Sequence, residues 1–372
     1  MEQGVDQGSG PAPVAGEPRK RYRYRSPFWA IVLIGLGVVW LLFNADAISA
    51  ESLGMLSVLW PVLLIGIGAD LLIGHRSLAL GGAVGVVTVG LIIVLMVLGP
   101  TFGWAGDTSV KTQTFSASVG QATSARVSLE TGGYSAAIHA LQPSTSPDRP
   151  LLSAAVTYRG SVDFQSSGDA AKDVSIKATG QSWWWQWLDD LGATPWDIGL
   201  DPGVPLDLKV DSVSGSSDLD LAGMRLADLE VDMSSGSTRL ILPAAEQSFG
   251  VKLHLSSGDL NVEAPAGARA DMSIDMSSGD ASVVLGAESD ATISFDGSSG
   301  EFAIDLPAGQ ALRVEVKQVS SGDVNLPSGL VQVEKGDGEE GIWETQGYAA
   351  ALHKVHLIVE LSSGSVRVRL GG

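Results

Sequence analysis

A serine-glycine corner recurs through the second half of the chain, and its spacing limits the fold more than any other feature. Successive corner glycines are 21 or 22 residues apart, and a last interval of 42 residues predicts a degenerate copy between two complete ones. These glycines are Gly215, Gly236, Gly258, Gly279, Gly300, Gly322 and Gly364. A repeat of this length predicts units that stack, because one unit alone cannot bury its apolar face.

Apolar and polar residues alternate on both sides of each corner, in a register that most copies share. Around one corner the apolar residues are Met272, Ile274, Met276, Ala281, Val283 and Leu285. Such alternation buries one face of each strand and leaves the other in water. We therefore predict that residues 113–372 form an all-β domain, a parallel β-solenoid (β-helix-like) with coils of about 21 residues. An antiparallel meander of hairpins is the alternative, although SSG is not a two-residue loop that hairpins favour.

Three apolar runs precede this domain, at residues 28–43, 55–73 and 78–98. Each approaches the roughly 20 residues that cross a bilayer core, which predicts three transmembrane helices. Basic residues cluster between Arg19 and Arg25, so the positive-inside rule places the N-terminus in the cytoplasm and the C-terminal domain outside it. If the first run were instead a cleaved signal peptide, the C-terminal domain would still lie outside.

The chain then divides into four parts. We expect a disordered basic cytoplasmic tail at residues 1–26, a membrane region at 27–99, a linker at 100–112 and the β-domain at 113–372. A Trp-rich insertion at residues 182–200 interrupts the β-domain before its clearest repeats.

The charge of the chain lies almost entirely in the β-domain. The formal net charge is −19, and the first hundred residues hold as many acidic as basic side chains. A surface this acidic repels phosphate backbones and anionic lipid headgroups, so we expect no nucleic-acid partner. The lipid bilayer is an expected partner because of the three apolar runs. The absence of cysteine excludes disulfides, thiolate metal sites and cysteine nucleophiles. The sequence leaves the oligomeric state open.

Acidic residues follow the corner glycine in four copies and predict a column of like charges. The four residues are Asp259, Asp280, Glu301 and Asp323. In a solenoid they would lie about 4.8 Å apart, a spacing that a divalent cation could relieve. We favour the alternative that the column is a solvated edge, and we predict no metal site and no cofactor.

Tryptophans crowd the insertion at residues 182–200. They are Trp183, Trp184, Trp185, Trp187 and Trp196. Three roles remain open for this group, namely capping the end of the solenoid core, resting in the membrane interface, or binding a partner.

No arrangement of residues predicts catalysis. The sequence has no GxSxG, GxGxxG, P-loop or HExxH motif, and His139, His254, His353 and His356 are interpreted as structural. We therefore expect no catalytic residues and no enzymatic activity. The enzymatic alternative is a polysaccharide lyase or hydrolase, since β-solenoids can carry carboxylate sites.

Two segments resemble known families. Ser26–Trp29, Leu41–Asn44 and Trp60–Gly66 resemble the LiaI/LiaF-like transmembrane region of bacterial membrane proteins, and the SSG corners with Val204–Leu208 look like the toastrack β-domain that often follows it. LiaF-like proteins are regarded as envelope-stress components that restrain a sensor histidine kinase. The resemblance thus implies a protein of the bacterial cell membrane that senses or regulates, with a sensor histidine kinase or another membrane protein as partner. A structural or adhesive surface scaffold is the alternative.

Overall fold

The computed structural model describes residues 27–44, 56–73, 77–98, 110–146, 148–179 and 195–371. The chain separates into two compact units, Met1–Gly106 and Asp107–Gly372. The expected cytoplasmic tail and nearly all of the expected linker lie outside the described residues.

The first unit contains three apolar helices, which are α1 (Phe28–Asn44), α2 (Leu56–Leu72) and α3 (Leu78–Leu98). Helix α3 packs against both of the others. A Cβ on Gly35 of α1 would overlap Val89 of α3, and a Cβ on Gly66 of α2 would overlap Thr88. Glycine therefore allows the backbones to approach closely at both contacts.

The helices agree closely with the three apolar runs. Only α3 holds an apolar stretch long enough to cross a membrane, at Ala79–Met96, while α1 and α2 are apolar but have 17 residues each. Large apolar side chains such as Leu41 and Ile65 are about 70% exposed on these helices, as expected of surfaces that lipid covers.

Within its described residues, the second unit is all-β apart from one short 3₁₀ turn at Tyr348–Ala350. The strands in chain order are β1 (Lys111–Ser118), β2 (Ser124–Gly132), β3 (Ala136–Ala140), β4 (Pro150–Tyr158), β5 (Ser161–Ser167), β6 (Ala171–Thr179), β7 (Trp196–Leu200), β8 (Leu206–Ser212), β9 (Ser216–Asp220), β10 (Leu226–Met233), β11 (Ser237–Ile241), β12 (Phe249–Leu255), β13 (Asp259–Ala264), β14 (Arg269–Met276), β15 (Asp280–Leu285), β16 (Asp290–Gly297), β17 (Glu301–Leu306), β18 (Ala311–Val319), β19 (Asp323–Asn325), β20 (Leu330–Lys335), β21 (Gly341–Thr345), β22 (Lys354–Leu361) and β23 (Ser365–Leu370).

These strands form two sheets that share one core. Sheet A has the order β1-β4-β7-β3-β9-β11-β13-β15-β17-β23-β19, and sheet B has the order β20-β21-β18-β22-β16-β14-β12-β10-β8-β2-β6-β5. From β8 to β17 the chain alternates between the sheets, and each strand pairs in parallel with the strand two places further on. The structure thus contains large parallel sheets, and the antiparallel meander is wrong for this region.

The order of the coils departs from the order of the chain at both ends. Strands β22 and β23, which come last, lie between the β16–β17 coil and the β18–β19 coil. At the other end, β2 and β3 lie between the β6–β7 coil and the β8–β9 coil. The expected degenerate copy between Gly322 and Gly364 is wrong, because that stretch supplies the antiparallel strands β20 and β21.

The expected insertion at residues 182–200 is also revised, because its last five residues are strand β7 within sheet A. Residues 180–194 lie outside the described residues. The flanking strands β6 and β7 pair with β2 and β3, which the corner near Gly132 joins. The Trp-rich segment therefore connects two strands that a short corner connects elsewhere.

Candidate functional site

The stacked corners explain why serine and glycine recur. Six of the seven corner glycines have a φ between 99° and 110°, a backbone region that favours glycine. At Gly279 a Cβ would overlap the carbonyl oxygen of Gly258 in the coil beneath, and Gly236, Gly258, Gly300 and Gly364 show the same overlap with the coil beneath them. Glycine is thus needed both for its φ and for its lack of a side chain.

Gly322 is the exception among the predicted corners. It lies above Gly364 but does not have a positive φ. The expectation that Gly322 is a seventh equivalent corner is therefore wrong. Its coil is the outermost one in sheet A, where β19 has three residues and no further coil continues the stack.

The second serine of each SSG corner binds the neighbouring coil. Ser257 Oγ donates to the Ser234 carbonyl at 2.9 Å, and Ser278 Oγ donates to the Ser256 carbonyl at 3.1 Å. Ser363 Oγ donates to the Ser298 carbonyl at 2.8 Å. The hydroxyls thus form a ladder along one edge of the stack, and the motif is structural.

The predicted acidic column is shorter than expected. Asp259, Asp280 and Glu301 are direct neighbours, but Ser365 lies between Glu301 and Asp323. The prediction of four successive carboxylates is wrong for Asp323, because the C-terminal coil is inserted there. The Arg367 guanidinium also donates to Glu301.

A longer acidic column lies on the outer face of sheet B, and the sequence analysis missed it. Its members in stacking order are Glu130, Asp211, Asp232, His254, Asp275, Asp296 and Glu360. All but Glu130 stand four residues before a corner glycine, a fixed position that could have revealed the column.

Lys209 neutralises part of this longer column. Its ammonium group donates to Glu230 and lies 3.1 Å from Asp232, and these contacts raise the pKa of Lys209 and hold the pKa of Glu230 below its usual value. Burial, then the charges of Asp232 and Glu130, raise the pKa of the Asp211 carboxyl. Within the described ranges, no three His, Cys, Asp or Glu side chains are grouped so that they could hold a metal ion.

The four histidines of the β-domain each pair with a carboxylate on a neighbouring strand. The nitrogen–oxygen distances are 3.4 Å for His139–Asp197, 2.9 Å for His254–Asp275, 3.0 Å for His353–Asp290 and 3.2 Å for His356–Glu315. Burial would raise the pKa of Asp290, but hydrogen bonds from His353 and the Lys354 amide hold it below its ordinary value.

Trp196 is not part of a surface that a partner could bind. It is fully buried in β7, its indole N–H donates to the Thr157 carbonyl at 3.0 Å, and its ring stacks on Tyr134 with centroids 5.5 Å apart. The proposal that Trp196 is an interface residue is therefore wrong, because its side chain belongs to the core. The interface candidates Trp183, Trp184, Trp185 and Trp187 lie outside the described residues.

Comparison with protein families places both parts of the chain. Residues 27–72 match the LiaI-LiaF-like transmembrane region, and residues 105–263 match the N-terminal domain of toast_rack. This is a LiaI-LiaF-like membrane region followed by a toast_rack domain. The matched toast_rack portion ends near the end of β13, so the remaining coils extend the same two sheets beyond it.

Among solved structures, this chain is similar to a candidate cell adhesion protein from Clostridium sporogenes ATCC 15579. The two share 13% identity with a TM-score of 0.32, over 70% of this chain and 100% of the other. No curated protein matches the chain.

Proposed function

We propose that this chain is a non-enzymatic protein of the bacterial cell membrane that senses or regulates an envelope response by binding. In this proposal the N-terminus is cytoplasmic, all three helices cross the membrane, and the β-domain is extracytoplasmic. A coil of about 21 residues is the repeating unit of the β-domain. The observation that carries the proposal is the order of its parts, a LiaI-LiaF-like membrane region followed, after helix α3, by a toast_rack domain.

The polar groups of the β-domain support a binding role over catalysis. The corner serines donate to carbonyls of the adjacent coil, and the histidines pair with carboxylates across neighbouring strands. These groups are engaged in holding coils together. A general acid or base must instead be free to reach a substrate proton.

A signal received outside can reach the cytoplasm only if it favours one arrangement of the helices over another. The close contacts at Gly35 and Gly66 provide interfaces whose packing depends on small changes in helix position. We propose a sensor histidine kinase or another membrane protein as the partner that receives this change. The tryptophans at 183–187 are the proposed extracytoplasmic contact, because clustered Trp supplies binding energy at low entropic cost.

Deletion of the gene tests this proposal. We expect a changed transcriptional response to cell-wall-active compounds, with no loss of any hydrolytic activity. A chain with Trp183, Trp184 and Trp185 replaced by Ser should reproduce the deletion while its circular dichroism remains that of the parent. If the triple variant unfolds, these tryptophans cap the core and do not form the contact.

An unchanged response in both strains would favour the scaffold or adhesive alternative. That alternative also predicts ordered assembly of the purified protein on a surface. Appearance of polysaccharide cleavage products with the parent chain, and their absence with the deletion, would replace both proposals with an enzymatic role.

A further inference from the structure

The N-terminal end of the β-domain has two strand edges that pair with no further strand among the described residues. Among the described strands, β1 is the last strand of sheet A at this end and β5 is the last strand of sheet B. Residues 108–129, which include β1, contain no acidic residue although the chain has a net charge of −19. Charge repulsion between copies of the chain is therefore weak along the β1 edge.

The opposite end of the stack is blunted in the ways that discourage strand pairing. Strand β19 has only three residues, and the pairing of β20 with β21 contains a bulge between Gln332 and Glu334. The turn between those two strands is acidic, with Asp337, Glu339 and Glu340. Short edges, bulges and charges are the features that natural sheets use to prevent edge-to-edge contact. The edges of β1 and β5 have seven or eight residues each.

The two sheets end at different heights, which leaves a step of one strand. Beyond the β6–β7 coil, sheet A continues with β4 and β1, whereas sheet B continues with β5 alone. Strand β1 therefore has no strand opposite it in sheet B. Its inward-facing Phe115 stacks on Phe164 of β5, with ring centroids 5.1 Å apart, and both rings are only half-buried.

The strand directions make this step self-complementary. Strand β1 is antiparallel to β4, which is antiparallel to β7, and β5 is antiparallel to β6. Since β6 and β7 belong to one coil and run in opposite directions, β1 and β5 run in the same direction. Consider a two-fold axis that runs parallel to the strands and lies midway between the two sheets. It places β1 of one copy beside β5 of the other copy, and the two strands are parallel. The added β1 then fills the position in sheet B that lies opposite β1 of the first copy.

The register of this pairing follows from the aromatic stack. The two-fold axis does not move residues along the strand, so Phe115 of one copy lies beside Phe164 of the other because the two rings already face each other within one copy. Thr112 then lies beside Ser161 and Thr114 beside Asp163. Inward-facing residues meet inward-facing residues throughout, and no like charges are paired.

We propose that a second copy of this chain docks on the N-terminal end of the β-domain, with β1 of each copy adding to sheet B of the other next to β5. The interface is isologous, as in most homodimers. It buries four phenylalanines at its centre and supplies a second neighbouring strand to β1 and to β5, each of which has one neighbour among the described strands.

Cysteine cross-linking of the full-length protein in detergent tests the proposed register, because the chain has no cysteine of its own. The double variant T112C/S161C should form a disulfide-linked dimer under mild oxidation. The single variants T112C and S161C should remain monomeric on denaturing gels, as should V331C/N325C at the opposite end. Cross-linking by T112C alone would overturn the proposal, since it requires β1 to pair with β1. Failure of the double variant to cross-link would overturn it as well.

A charge pair separates this interface from contacts between membrane helices. Thr114 is exposed and would lie about 5 Å from Asp163 of the other copy, so T114E should raise the dimer dissociation constant about tenfold and T114K should lower it. Both constants are measured by mass photometry at several protein concentrations. A dimer that responds equally to both substitutions is held by the helices, and a chain that stays monomeric at every concentration has this end covered by the bilayer or by its own residues. Either result refutes the proposal.

Discussion

At the scale of single residues, the corner glycines are required for two separable reasons. Gly279 and Gly267 both have positive φ, but a Cβ on Gly279 would overlap the Gly258 carbonyl whereas a Cβ on Gly267 meets open space. We expect G267A to lower the free energy of unfolding by about 1 kcal/mol through backbone strain alone. G279A should lower it by roughly 3 kcal/mol or more, because the coils must also separate.

Urea unfolding of the two variants beside the parent measures both values. Both glycines need a positive φ, but only Gly279 also lies against the backbone of the neighbouring coil. The difference between the two losses of unfolding free energy therefore measures the effect of this close approach. Equal losses would mean that coil stacking does not depend on glycine.

Asp211 should make the fold less stable at neutral pH than at acid pH. Burial and the nearby carboxylates raise its pKa above the ordinary value of 3.8, so the folded state disfavours the charged form. Its destabilising effect is absent below pH 3.8, where the group is protonated in both states, and grows as pH rises through the folded pKa. D211N should therefore raise the melting temperature at pH 7 and leave it unchanged near pH 3. The exposed Asp169, replaced by Asn, is the matched control and should change neither value.

At the scale of strands and coils, alternation and corner spacing suffice to predict the parallel sheets but not the order of the coils. The corners from Gly215 to Gly300 are sequential in space because consecutive strands simply advance along the stack. The interval of 42 residues before Gly364 does not show where the last coil lies. The same interval fits a last coil that is added outside the β18–β19 coil and one that is inserted beneath it. Only long-range pairing decides between these, here the contacts of β23 with both β17 and β19.

The candidate sites divide along the same line. Local patterns are enough to identify the glycine corners, because φ and close approach act within one repeat. The burial of Trp196 could not be predicted, since it depends on pairing with β3, some sixty residues away in the sequence. The acidic column of sheet B could be predicted from a local signal, because all of its members but Glu130 stand four residues before a corner glycine.

The inserted coil predicts an unusual stability for the end of the chain. Terminal strands commonly fray and exchange their amide hydrogens quickly. Strand β23 instead lies between β17 and β19, and β22 lies between β16 and β18, where hydrogen bonds join His353 to Asp290 and His356 to Glu315. Amides of β23 should exchange as slowly as those of β15, while those of β19, at the edge of sheet A, should exchange faster.

Hydrogen exchange followed by peptide mass spectrometry tests this order directly. If peptides that end near Leu370 exchange faster than peptides from β19, β23 does not lie between β17 and β19. The comparison is internal to one sample, so differences in global stability do not affect it.

At the scale of the whole molecule, the proposed orientation in the membrane rests on charge. The basic residues between Arg19 and Arg25 stand before α1, and the positive-inside rule keeps such residues in the cytoplasm. In the proposed topology, three crossings then put the acidic β-domain on the other side of the membrane. The single-cysteine variants S9C and V331C, the latter at a half-exposed position of β20, allow both sides to be probed in one experiment because the parent has no cysteine.

A membrane-impermeant maleimide added to intact spheroplasts should label V331C and leave S9C unlabelled. Permeabilising the membrane should then expose S9C to the reagent while V331C changes little. Labelling of S9C alone in intact spheroplasts would reverse the orientation. Labelling of both variants would mean an even number of crossings, so that one of the two shorter helices, α1 or α2, does not span the bilayer. The two-sided readout thus tests the charge rule and the number of spanning helices together.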